Sequence, residues 1–129
     1  MTRVFMTAGG LLAAMAVLMG AYGAHGGSLD EIQTIWIDKA SRYQMYHAIA
    51  LLICGLIPRA GNVPALLVIS AGWCFLAGIV LFSGSLYAMA MSDIDAGYIT
   101  PAGGILFALG WVLTALAGAR FGARRNPWE

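Results

Sequence analysis

Charge is what this chain has least of. Asp, Glu, Lys and Arg make up 10% of its 129 residues, where a soluble domain carries ~25%. So few charges cannot cover a globular surface, while 60% of the residues are hydrophobic. The net charge of +1 excludes the basic face that nucleic-acid binding needs. Only two cysteines are present, Cys54 and Cys74. Both fall inside apolar runs, which excludes a disulfide framework and reads as two small buried side chains. The apolar runs hold no paired acids and no metalloprotease or nucleophile motif, so no enzymatic activity is expected. What remains is one small polytopic membrane domain, residues 1–129, with little mass outside the bilayer.

The longest uncharged stretch is Leu66 to Met91. Its 26 residues make a helix of about 39 Å at ~1.5 Å per residue. A hydrocarbon core of ~30 Å needs about 20 residues, so this stretch spans with some tilt. Three further spans flank it. Val4 to Ala24 is longer than a signal-peptide core and reads as a retained first span. A second runs from about Tyr43 to Ile57, and a fourth from Pro101 to Ala119. The third extends back to Pro64, which suits a first helical turn, as Pro101 does behind an N-cap Thr100. The expectation is an all-α membrane protein: a four-helix transmembrane bundle with spans near 4–24, 43–57, 64–91 and 101–119.

Between the first two spans, residues 28–42 read as an amphipathic helix that lies at the membrane surface and runs on into the second span, or else stands up as its extension. Ser28-Leu29-Asp30-Glu31 has the form of a capping box, Ser28 to Glu31. Leu29, Ile32, Ile35 and Trp36 recur at helical spacing among Asp30, Gln33, Lys39 and Arg42. Trp36 suits the interface. Pro58-Arg59-Ala60-Gly61-Asn62 reads as a turn, and Ser92 to Gly97 as an acidic loop containing Asp93 and Asp95.

Orientation follows from the positive charges. Arg3, Arg59, Arg120, Arg124 and Arg125 share one side; Lys39 and Arg42 share the other. The positive-inside rule then places both termini in the cytoplasm. Two stripes of small residues, Ala16/Gly20/Ala24 and Gly110/Thr114/Gly118, allow close helix contact. Ala8-Gly9-Gly10-Leu11-Leu12 resembles Ala102-Gly103-Gly104-Ile105-Leu106, opening two spans that cross in opposite directions as in an inverted repeat; composition explains most of so short a match in so Ala- and Gly-rich a chain.

Polar residues within the spans are the candidates for chemistry, because ionisable groups at membrane depth are costly. His25 closes the first span and His47 opens the second, at one expected depth on the outer side. With Tyr43, Gln44, Ser83 and Tyr87 they form a candidate ligand-binding cluster. His25 and His47 with Met45 and Met89 form a candidate metal set, soft enough for copper(I) or, through the imidazoles, for haem. Against this, each imidazole can simply bond a loop carbonyl and fasten the fold, so no cofactor is expected. No acid or base adjoins Ser83 or Ser85, which argues against nucleophilic catalysis.

Four motifs occur in order. They are Gly20-Ala21-Tyr22-Gly23-Ala24-His25; Trp36 followed by Tyr43-Gln44-Met45-Tyr46-His47-Ala48; Leu81-Phe82-Ser83-Gly84-Ser85-Leu86-Tyr87; and Thr100-Pro101-Ala102-Gly103-Gly104 followed by Gly110-Trp111. In this the chain resembles the small bacterial inner-membrane proteins grouped as domain of unknown function 423 (UPF0382-type). The resemblance covers nearly the whole chain. It implies four transmembrane helices and an inner-membrane location, and it brings no activity with it. The expected role is structural or accessory, with the lipid bilayer and either a second copy or a larger membrane complex as partners. The alternative is binding or transport of a small molecule, proton or metal around His25 and His47.

Overall fold

A computed structural model describes residues 1–60, 63–92 and 94–120, without the side chains of residues 59 and 60. The described residues form four helices: α1 (Thr2–His25), α2 (Glu31–Ala60), α3 (Ala65–Met91) and α4 (Ile99–Ala119). Of these, α1, α3 and α4 are long and apolar enough to cross a membrane. Gly61, Asn62, Asp93, Arg124 and Arg125 lie outside the described residues.

The structure changes the reading of residues 28–57. There is no separate surface helix followed by a short span, because Glu31 to Ala60 is one unbroken 30-residue helix. The expected surface segment is its first three turns, and Pro58 falls in its last turn rather than in a loop. The charges Asp38, Lys39 and Arg42 look interfacial in sequence, yet all three are exposed, so they leave the packed face of α2 intact. The cap also moves. The N–H of Gln33 donates to Asp30 Oδ1 at 2.8 Å, and the N–H of Asp30 donates to Gln33 Oε1 at 3.0 Å. This is a reciprocal capping box one helical position from the helix start. Asp30 and Gln33 fill the roles that Ser28 and Glu31 were expected to fill.

α1 lies antiparallel along α2 for its whole length. A side chain at Gly23 would meet Ile37, one at Gly20 would meet Ser41, and one at Gly9 would meet the Ala48 carbonyl at 2.9 Å. At the other end, a side chain on Gly55 would meet Met6 and the Thr2 carbonyl. The buried small residues of α1 are Gly9, Ala16 and Gly23, seven apart; α4 buries Gly103, Gly110 and Ala117 at the same interval. A seven-residue repeat keeps one seam on the neighbour through a shallow left-handed crossing. The two Ala-Gly-Gly motifs thus share a packing job: the first glycine is buried against a neighbouring helix, while a side chain on Gly10 would meet open space.

α3 is α-helical over Ala65–Gly78 and Gly84–Met91, with a π-helical turn at Ile79–Ser83 between them. Helices α2, α3 and α4 enclose the core, and α1 flanks α2, touching α3 where Phe5 stacks edge-on against Trp73. Four phenylalanines each sit over a glycine of another helix: Phe5 on Gly72, Phe75 on Gly110, Phe107 on Gly78 and Phe82 on Gly103. At Gly103 the approach is backbone to backbone, since a Cβ there would stand 2.8 Å from Phe82 Cα.

Candidate functional site

The polar residues of the interior gather around His47. Heptad packing on α4 turns Phe107 and Trp111 toward the face of α2 that carries Tyr43 and His47. The imidazole lies flat on Phe107, with ring centroids 3.4 Å apart and planes within 2°. Phe75 of α3 stands 5.6 Å from the imidazole, and Phe82 stands 4.8 Å from the Tyr43 ring. Trp111 packs edge-on against Phe75 at 5.0 Å.

Both imidazole nitrogens have committed partners. Nδ1 stands 2.7 Å from the Tyr43 carbonyl, which can only accept. Nε2 stands 3.2 Å from Trp111 Nε1, an indole N–H that can only donate. These partners assign the neutral tautomer with the proton on Nδ1. Neither nitrogen keeps a lone pair for a metal or for a substrate proton.

His25 lies elsewhere. It is exposed at the end of α1, where the contact of Gly23 with Ile37 sets it near Ile35 of α2. From Ile35 to His47 is twelve residues, about 18 Å along the helix. The shared depth expected from sequence fails because α2 begins at Glu31 rather than Tyr43. The methionines are dispersed too. Met89 lines a surface groove with Gln33 and Trp36 at the start of α2, and Met45 is nine residues beyond Trp36. His25, His47, Met45 and Met89 therefore form no donor set. Among the described residues no three His, Cys, Asp or Glu side chains gather to hold a metal.

The other candidates act as ties. Gln44 is fully buried and points toward α1, where Nε2 donates to the Leu12 carbonyl at 2.8 Å. Its Oε1 and the buried Tyr87 hydroxyl have no partner among the described residues. Ser83 donates to the Ala40 carbonyl of α2 at 2.9 Å. Ser85 bonds Thr100 of α4 at 2.6 Å. Thr100 was expected to cap α4; instead its hydroxyl ties α4 to α3, and the helix starts at Ile99 without a side-chain cap. Sequence reading missed Phe75 and Phe107 as partners of His47. The only signal for them was their register with the small residues, Phe107 lying four after Gly103 and three before Gly110.

The arrangement defines a class: a small all-helical membrane protein whose interior polar groups mostly join one helix to another. Residues 19–104 match the family model described as protein of unknown function (DUF423), and the chain belongs to that family. A UPF0382 membrane protein of Staphylococcus epidermidis strain RP62A is 46% identical over 123 residues, covering 92% of this chain and 98% of that protein. One from Staphylococcus aureus strain RF122 is 45% identical over 123 residues, with the same coverage of both chains. The UPF0382 membrane protein YwdK of Bacillus subtilis strain 168 is 38% identical over 124 residues, covering 92% of this chain and 98% of that protein. No solved structure matches.

Proposed function

We propose that this protein is a structural or accessory component of the bacterial inner membrane. It crosses four times, keeps both termini in the cytoplasm, and packs with itself or with a larger membrane complex. The observation that carries this reading is the engagement of His47. The one buried imidazole holds a carbonyl on one side and an indole N–H on the other, which makes it a fastener between α2 and α4 rather than a reactive group.

The α1–α2 register supports the fourth crossing. α1 meets α2 from Ile37 to Gly55, 19 residues or about 28 Å, so a bilayer that α1 crosses is crossed by α2 as well. The excess of arginine near the termini and the 58–63 segment supports the orientation. With almost no mass outside the helices, activity would reside in lateral contacts.

Chemical crosslinking in native membranes, followed by mass spectrometry of the captured species, tests the role. A reproducible homo-oligomer or a fixed membrane partner is the expected result. A protein that stays monomeric after crosslinking, and at every concentration in mild detergent, overturns the reading.

A further inference from the structure

Between the ends of α1 and α2 nearest His25 lies a groove of about 340 Å³, lined by Gly20, Gly23 and Ala24 on α1 and by Thr34, Ile35 and Asp38 on α2. Its α1 wall is low, because two of those residues have no side chain and the third has one methyl. Its α2 wall is charged. Arg42 Nη2 donates to Asp38 Oδ2 at 2.6 Å, and both side chains remain more than half exposed. Asp38 Oδ1 takes part in no hydrogen bond among the described residues. Thr34 donates its hydroxyl proton to the Asp30 carbonyl at 2.9 Å, which leaves its oxygen free to accept.

The depth of this patch is unusual. Ser41 faces Gly20, five residues or about 7.5 Å before the end of α1. The polar interface is itself only ~5–7 Å thick on each side of the hydrocarbon. Asp38 and Arg42 therefore face the boundary between headgroups and acyl chains, where charged side chains need polar partners. Asp38 lines the groove, and Arg42, paired with it, stands one helical turn further along α2 at the groove's edge.

We propose that this groove seats the headgroup of an aminophospholipid, a lipid carrying both a primary ammonium and a phosphate diester. The ammonium donates to Asp38 Oδ1 and Thr34 Oγ1. The phosphate accepts from Arg42. The upper part of an acyl chain lies on Gly20 and Ala24. A choline headgroup has the same charges but no N–H to give Asp38, and a glycerol headgroup has no cation. The proposal rests on the reading that α1 and α2 both cross the membrane.

The test is native mass spectrometry of the detergent-purified protein titrated with phosphatidylethanolamine, phosphatidylcholine and phosphatidylglycerol of identical acyl chains. Ethanolamine lipid is expected to be retained about tenfold more than either other, the worth of one charge-assisted hydrogen bond. That preference is expected to vanish in Asp38→Asn, and in Ala24→Leu, which fills the groove from an exposed position. Equal retention of the three lipids, or an unchanged preference in Ala24→Leu, overturns the proposal. So does a dimer that disperses in Ala24→Leu, which would put a second copy in the groove. Ile49→Cys, in a Cys54→Ala/Cys74→Ala background, separates the two readings. Labelling of this thiol by a water-soluble maleimide in intact membranes overturns the crossing of α2. An unlabelled thiol with no lipid preference overturns the headgroup site alone.

Discussion

Trp111 donates its indole N–H to His47 Nε2 across 3.2 Å, joining α4 to α2 between residues 64 positions apart. Trp111→Phe removes this bond together with one ring of the indole that packs on Phe75. The bond is expected to contribute about 0.6 kcal/mol, the mean for interhelical hydrogen bonds in membranes, and no more than about 1.7 kcal/mol, with the lost ring packing added to it. His47→Ala also removes the stack on Phe107 and is expected to cost about 3 kcal/mol. Unfolding in mixed micelles at rising SDS fraction measures both, and the double mutant is expected to be less destabilised than the sum of the two.

Gly103 and Gly104 provide a paired test of the α3–α4 contact. A methyl at Gly103 runs into the backbone of Phe82, whereas at Gly104 it meets the Phe82 ring at 3.8 Å, an ordinary contact. Gly103→Ala is expected to destabilise by about 1–3 kcal/mol. Gly104→Ala is expected to be neutral, or stabilising by up to about 1 kcal/mol through helix propensity. Equal effects from the two would contradict the close approach.

The continuity of α2 has a distance signature. Ile32 and Ile53 are both exposed and accept spin labels without disturbing the core. An unbroken helix puts their Cα atoms about 32 Å apart; a right-angle bend near Arg42 would bring them to about 22 Å. Pulsed electron paramagnetic resonance in lipid nanodiscs reads the difference directly.

Gln44 is half satisfied, with its amide nitrogen bonded to α1 and its oxygen without a partner among the described residues. Gln44 can be replaced by an apolar side chain of the same shape at little cost, because the Leu12 carbonyl inside α1 keeps its backbone partner in the helix. Gln44→Met is therefore expected to stay within about 1 kcal/mol of the parent. A loss well beyond that, in the same SDS titration, would mean that Oε1 holds a bound water or ligand.

The orientation can be read by thiol accessibility in a cysteine-free background. Ile94→Cys, at an exposed position in the loop before α4, is expected to react with a membrane-impermeant maleimide in intact cells. Thr2→Cys is expected to react only after permeabilisation. The reverse pattern would invert the topology.

The positions of α1, α3 and α4 were legible because a long uncharged run bounded by glycine, proline or acids has one physical reading. α2 was not, since three charges on an exposed face look the same in sequence whether the helix lies flat or stands up. The error carried into the site. Starting the second span at Tyr43 put His47 level with His25, and starting the helix at Glu31 moves it some three turns away. His47 itself was legible as an unusual residue at depth. Its partners were not, because Tyr43 contributes a backbone carbonyl and Trp111 is distant in sequence. The split between the two serines could be read from helical angle: Ser83 reaches α2 and Ser85 reaches α4.

The π turn at Ile79–Ser83 has a consequence for any hybrid of this chain. One extra residue is held in that turn, so the two halves of α3 are out of phase by a single position, about 100° of rotation. A chimera that replaces the turn with regular α-helix of equal length would swing Ser83 and everything after it around the axis. The Ser83 hydroxyl would leave Ala40, and Ser85 would leave Thr100. Restoring the faces would require deleting one residue, so the length of this helix is a conformational instruction as well as a span.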